Sequence, residues 1–219
     1  KKKQKKMKNL IKKLSVGIFA VAFTMGFGQK IDANAKTILD GVSTNYKSKK
    51  NNYFKFVYRN GSGTAGKAVT GIFYSAGSKY KLNIMGTEQI FDGNKVYSIS
   101  GDDKEVTIAK PTGSETMFSP LNYIDSYKNG YTVQYMGKKN VGGINADYIK
   151  MTPVSNNGIK YVNLFVNSAK KQLVKLEQFS ENNEVAVIEI SKYIENQNLS
   201  PSTFTFNKAN YKNYLITEL

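Results

Sequence analysis

From residue 52 onward apolar and polar side chains alternate with a period of two, whereas before it the period is that of a helix. Ile31, Ala35, Ile38, Leu39, Val42 and Tyr46 recur mainly at spacings of three and four, which predicts an amphipathic helix over 32–48. Asp32, Asn34, Lys36, Asp40 and Lys47 make its polar face. Phe54, Phe56 and Tyr58 then alternate with Lys55, Val57 and Arg59, and after a Gly-rich turn a run follows over 69–75. Tyr80, Leu82 and Ile84 alternate with Lys81 and Asn83, and Ile90 ends a short strand before Asp92-Gly93-Asn94, where Asp-Gly signals a hairpin. Strands over 96–100 and 105–110 complete this part. Ser119-Pro120 opens a second short helix over 121–128, with Leu121, Ile124 and Tyr127 on one face and Asn129-Gly130 as its stop. Strands resume over 131–136, 146–152, 159–167, 172–180 and 184–193. The tail carries Phe204-Thr205-Phe206 and a helical turn near 208–211.

About eleven short strands with regular turns and two or three helices predict a mainly β chain built on an antiparallel meander. No repeat and no linker divides it, so residues 29–219 read as a single domain. An antiparallel sheet of this size buries one face and curls. The two helices either plug the curl as ordinary core or cover it as a lid over apolar space. Alternation alone does not separate these, because core and cavity wall share a composition. The scale suits a lid: an eight-residue strand spans about 26 Å, and an acyl chain of one leaflet about half of a ~30 Å bilayer core.

The N-terminus changes how the charge is read. Eight lysines and no acid stand in 1–13, followed by the apolar or small stretch Leu14 to Gly28, with Gly26 and Gly28 two apart. This is the pattern of a secretory leader, 1–28, and is shorter than the roughly 20 apolar residues of a spanning helix. The full chain carries +16; the leader holds eight of those charges, leaving +8 on 29–219. That charge is dispersed among acids and includes one arginine, Arg59, which argues against nucleic-acid binding.

Cysteine and histidine are absent, which excludes thiolate nucleophiles, disulfides and cysteine or histidine metal sites. The absence also predicts a soluble, unlipidated exported protein with no cofactor. The carboxylates Asp92, Asp102, Asp103 and Glu105 lie in turn-like polar stretches, so carboxylate-only hydrolysis is disfavoured and no enzyme activity is expected.

Several segments, in order, resemble the periplasmic outer-membrane lipoprotein carrier family (LolA), in particular its Bacteroidetes-type members. They are Ala35 to Val42, Phe54-x-Phe56-x-Tyr58, Lys79-Tyr80-Lys81-Leu82, Phe91 to Tyr97, Ser119-Pro120-Leu121 with Tyr127 to Tyr131, and Phe204 to Asn207. The resemblance spans 33–219 and implies an unclosed antiparallel β-barrel with helices as a lid over an apolar cavity. It further implies a periplasmic carrier that binds lipoprotein acyl chains. Such a carrier takes lipoproteins from an inner-membrane ABC-type release complex to the outer membrane, where an acceptor is possible. One departure stands out: where the family often has a lid-latching arginine, this chain has Ser75-Ala76-Gly77, and Tyr74 and Tyr80 are the nearest substitutes. Tyr97 takes the place of a family tryptophan.

On this reading the cavity wall is Phe54, Phe56 and Tyr58; Tyr80, Leu82 and Ile84; Ile90, Tyr97 and Ile99; Val162, Leu164 and Val166; and Val174 with Leu176. The lid is Ile38, Leu39, Val42, Leu121 and Ile124. A one-residue slip in any strand would exchange its faces. A monomer is expected. The alternative is a periplasmic lipid-binding sensor domain of the same half-barrel, and an anchored acceptor is disfavoured by the missing cysteine.

Overall fold

The structure is a computed structural model describing residues 29–111 and 119–219, so the expected leader lies outside the described residues. Asp32 opens the first helix by accepting the Ala35 N–H at 3.0 Å, and α1 runs Ala33–Lys47. Six strands follow: β1 Asn52–Ser62, β2 Val69–Ala76, β3 Lys79–Ile84, β4 Thr87–Phe91, β5 Val96–Ser100 and β6 Glu105–Ala109. Helix α2, Pro120–Asp125, starts from the Ser119 cap with proline in its first turn and continues as a 3-10 turn, Ser126–Lys128. Then come β7 Tyr131–Val141, β8 Ile144–Pro153, β9 Ile159–Asn167, β10 Gln172–Ser180 and β11 Glu184–Glu195. Two 3-10 turns, Pro201–Phe204 and Lys208–Tyr211, lead to β12, Leu215–Glu218.

All twelve strands form one sheet in the order β12-β6-β5-β4-β3-β2-β1-β11-β10-β9-β8-β7. It is an unclosed β-barrel made of two antiparallel meanders joined by the β1–β11 pair, which runs from Asn52↔Glu195 to Ser62↔Glu184. The strand not foreseen is β12, which pairs with β6 in parallel and so departs from the all-antiparallel expectation.

Helix α1 lies in the concavity with Ala35, Leu39, Val42 and Tyr46 at most 1% exposed, the stripe its spacing predicts. Burying a side chain of this size is worth about 1.5–3 kcal/mol. Polar ties between α1 and the sheet are few. The Tyr46 hydroxyl accepts the Leu173 N–H at 2.8 Å, where β10 bulges between Leu173 and Lys175. The Tyr46 carbonyl accepts from the Asn52 amide at 3.1 Å, and Asn45 donates to the Lys171 carbonyl at 3.1 Å. The Tyr46 ring meets Phe54 edge-on at 5.2 Å, and burial pushes its phenol up, so it stays neutral. Tyr46 thus latches α1 to β10. Of the two tyrosines named above, Tyr80 donates to Gln89 at 3.0 Å and Tyr74 pairs with Tyr53 at 5.0 Å.

The two helices are clasped to each other by charge. Asp125 accepts from Ser43 at 2.8 Å and Lys128 at 2.7 Å and pairs with Lys47 at 2.5 Å. Asp40 pairs with Lys36 and accepts the Tyr127 hydroxyl. Burial pushes the Asp125 carboxyl up, but bonds from Lys128, Lys47 and Ser43 outweigh it and hold the group below its ordinary value; bonds from Lys36 and Tyr127 lower Asp40.

Two outcomes follow. Tyr46→Phe leaves the Leu173 N–H buried without its partner and should lower stability by about 1–3 kcal/mol in urea unfolding; an unchanged midpoint would show that the latch is idle. Because the Asp40 and Asp125 carboxyls are lowered on folding, their contribution is present above the ordinary carboxylate value of 3.8 and lost as pH falls through the folded-state values. The thermal midpoint of Asp125→Asn should therefore lie below that of the unaltered protein at pH 7 and converge with it in acid.

Candidate functional site

The concave face is a continuous apolar surface. On β1, Phe54 and Phe56 point into it, facing Tyr193 and Ile190 of β11 on one side and Phe73 and Gly71 of β2 on the other. Gly71 is required there, since a Cβ would stand 2.2 Å from the Phe56 ring. Tyr80, Leu82 and Ile84 extend the surface along β3, and Val162, Leu164 and Val166 along β9. Leu176 of β10 and Ile149 and Met151 of β8 complete it. Tyr58 packs at its margin. From above, Leu39, Val42 and Ile124 are buried in the same cluster and Ile38 packs partly against it; the Leu121 side chain lies outside the described residues.

Four predicted wall residues fall elsewhere. Ile90 and Ile99 are buried, and Tyr97 half-buried, in a second cluster with Val106, Phe206, Tyr211, Tyr214 and Ile216 on the outer face. The cause is local. Met85 and Gly86, at φ +53° and +72°, make a two-residue turn that pairs Ile84 directly with Thr87. Thr87, Gln89 and Phe91 then share the inner face of Ile84, and Ile90 points out. Phe91 pairs with Val96, so Tyr97 and Ile99 also point out. There Tyr97 stacks on Phe206 at 4.7 Å, and Phe206 on Tyr211 at 5.2 Å. Val174 is the extra residue of the β10 bulge; Leu173, 2% exposed, takes its place in the core.

Phe73, Phe91, Leu173, Ile188 and Tyr193 are wall residues that sequence reasoning left out. Phe73 was legible, two residues beyond Gly71 in an alternating run. Leu173 was not, because a bulge breaks the count.

Beneath α1 the concavity is filled by Leu39, Val42 and Tyr46. A pocket of about 210 Å³ opens beside α2 instead, between the β2–β3 turn and the helix start. Phe73, Tyr80 and Phe91 form its aromatic floor, and Ser75, Ser78, Lys79, Ser119 and Asn122 its polar rim. Asp92 spends its carboxylate on its own turn, accepting from the Asn94 and Lys95 N–H groups and the Tyr97 hydroxyl at 2.8–2.9 Å. Asp102 and Asp103 are exposed on the β5–β6 turn. Among the described residues no group of three or more acidic, cysteine or histidine side chains is placed to hold a metal, and no helix is long and apolar enough to cross a membrane.

No family model matches this chain, and no curated protein matches it. Solved structures do. An uncharacterized conserved protein from Thermus thermophilus superposes with a TM-score of 0.61 at 11% identity, over 85% of this chain and 99% of that one. MucB, in the Pseudomonas aeruginosa MucA/MucB complex, does so at 0.51 and 14% identity, over 80% of this chain and 62% of that one. A LolA superfamily protein from Nitrosomonas europaea aligns at 0.41 and 14% identity, over 78% and 97%. Likeness at such identities shows a shared fold and no more. The half-barrel described here is that of the Thermus protein and of MucB, and LolA superfamily structures are among those it matches.

Proposed function

We propose that this protein is an exported, periplasmic lipid-binding carrier that takes lipoprotein acyl chains between its helices and the concave sheet face. The observation that carries the reading is an aromatic and aliphatic concave face sealed by a helix with few polar ties to the sheet, with a pocket already open at its margin. Each acyl CH₂ removed from water is worth about 0.8 kcal/mol, so an acylated protein crosses an aqueous space only when its chains are covered. The chains would enter at the Phe73–Tyr80–Phe91 floor and advance as α1 swings away, the side chains of Leu39 and Val42 giving place to them. No bond is made or broken. Delivery needs only an acceptor that binds the chains more tightly, and loading an inner-membrane ABC-type release complex. Leu82, Leu164, Val166 and Leu176 would then line the loaded cavity, with the protein working as a monomer.

A second reading is a lipid-binding sensor domain, favoured by the likeness to MucB, a protein solved in complex with MucA. The two separate in one assay: a carrier draws lipoprotein from inner-membrane preparations into the soluble fraction, and a sensor leaves it there.

The native chain has no cysteine, so an engineered pair is the sole thiol pair present. Asn45→Cys with Lys171→Cys joins the end of α1 to the β9–β10 turn, which the Asn45 side chain already reaches. Oxidised, this variant should take up a fluorescent fatty acid at least tenfold less than when reduced, with an unchanged circular dichroism spectrum. Equal uptake in both states would rule out α1 as the moving cover.

A further inference from the structure

We infer that one rim of the half-barrel, the β7–β8 hairpin tip with the β9–β10 turn beside it, docks on an anionic lipid surface. Docking of this kind is separate from acyl binding and stands or falls without it.

The strand ladders set which residues share that rim. The β8–β9 ladder ends at Asp147↔Val166, whereas β7 and β8 stay paired through Lys139↔Ala146, Asn140↔Asn145 and Val141↔Ile144. Those further pairs carry the hairpin about 10 Å past the last β8–β9 pair, to the level of the β9–β10 turn at 168–171. Gly142 and Gly143 close the hairpin, both at positive φ, +57° and +85°. Val141, Gly142, Gly143 and Ile144 leave the tip without a charge. Ile144 is 37% exposed there, and Met136, in the β7 bulge, is 49% exposed.

Lysines stand directly behind this tip. Lys138 pairs with Asp147 at 3.4 Å and stays half-exposed, and Lys139 lies 5.7 Å over the Phe165 ring. Lys170 and Lys171 are exposed on the neighbouring turn. Among the described residues Lys139, Lys170 and Lys171 have no carboxylate partner. The opposite end of the sheet is the reverse: Asp102 and Asp103 on the β5–β6 turn and Glu181 on the β10–β11 turn are exposed, against Lys67 and Lys104. The sheet is polarised along its strands, basic where the hairpin projects.

An uncharged aliphatic tip backed by lysines suits lipid, since the lysines hold at anionic headgroups while the tip enters between them. A protein partner calls for a different surface. Interface centres favour aromatic side chains and arginine and are depleted in lysine, and this rim is Met, Val, Ile, Gly and Lys. The last turn of α1 lies at the same rim, with Asn45 donating to the Lys171 carbonyl and Tyr46 accepting the Leu173 N–H. Through the register of β1, β2, β10 and β11 the pocket's β2–β3 turn shares that end of the sheet. Docked this way, the protein turns the end of α1 and the pocket towards the bilayer.

The test is flotation of the full mature chain with vesicles of phosphatidylcholine alone or mixed with phosphatidylglycerol, with uptake of a fluorescent fatty acid measured alongside. The chain should float with the anionic vesicles and not with the neutral ones, and raised salt should release it. Each lysine near an anionic surface is worth about fivefold in affinity, so Lys170→Gln with Lys171→Gln should weaken binding about twentyfold with the thermal midpoint unchanged. Because the chain has no cysteine, Ile144→Cys carries a single environment-sensitive dye, whose emission should shift to the blue on anionic vesicles. The same dye on Asp102→Cys, at the opposite end, should not respond. Equal flotation with neutral vesicles, no flotation with either, an undiminished double variant, or no blue shift at Ile144 would each overturn the docking. Retention on immobilised polyglutamate in place of vesicle binding would assign the rim to an acidic polypeptide and overturn it as well. Fatty-acid uptake without vesicle binding refutes the docking alone, and vesicle binding without uptake refutes the acyl-binding function alone.

Discussion

A sheet of twelve strands that curls without closing has an inner face it cannot cover by itself, and every other feature of this molecule answers that constraint. Phe54, Phe56, Leu82, Leu164 and Leu176 would meet water were it not for fifteen residues of helix laid across them. Packing supplies the hold. The polar ties from α1 to the sheet lie at its two ends, the N–H of its cap Asp32 donating to the Val133 carbonyl of β7 at 3.0 Å and Tyr46 and Asn45 bonding in its last turn, whereas α1 and α2 are bound to each other by the charges around Asp125 and Asp40. The covering helices are thus joined to each other mainly by charge and to the sheet mainly by packing.

The two faces of the sheet are finished differently. Inside, large apolar side chains pack under the two helices. Outside, the C-terminal segment is stacked on the sheet through Tyr97, Phe206, Tyr211 and Tyr214, and β12 pins its end beside β6, with Lys95 pairing to Glu218. The outer cover is aromatic stacking plus a strand ladder, contacts that do not yield one at a time.

Much of this was legible from periodicity. The α1 stripe, the Ser119-Pro120 start of α2 and the first eleven strands follow from spacing and capping chemistry, which are local. Face assignment was legible only as far as the turns could be counted. It held for β1, β3 and β9, where alternation continues unbroken from a recognised turn. It failed after Ile84, because Met85-Gly86 gives a tight turn without the Asn-Gly or Asp-Gly signature, and it failed at Val174, because a bulge adds one residue without marking the sequence. The parallel docking of β12 depends on partners more than a hundred positions away and has no local trace.

The seam between the meanders has a consequence for how the chain is made. Strand β1 pairs along its whole length with β11, so residues 52–62 wait for residues 184–195. Closing so long a loop is entropically slow, and until it happens one side of β1 is an open ladder edge beside Phe54 and Phe56. A chain emerging from its N-terminus therefore completes β2 to β6 with its central strand half-paired. Shortening the protein ahead of β11 would yield an adhesive strand edge rather than a smaller half-barrel, and biogenesis of the intact molecule is a race between that late pairing and association with neighbours.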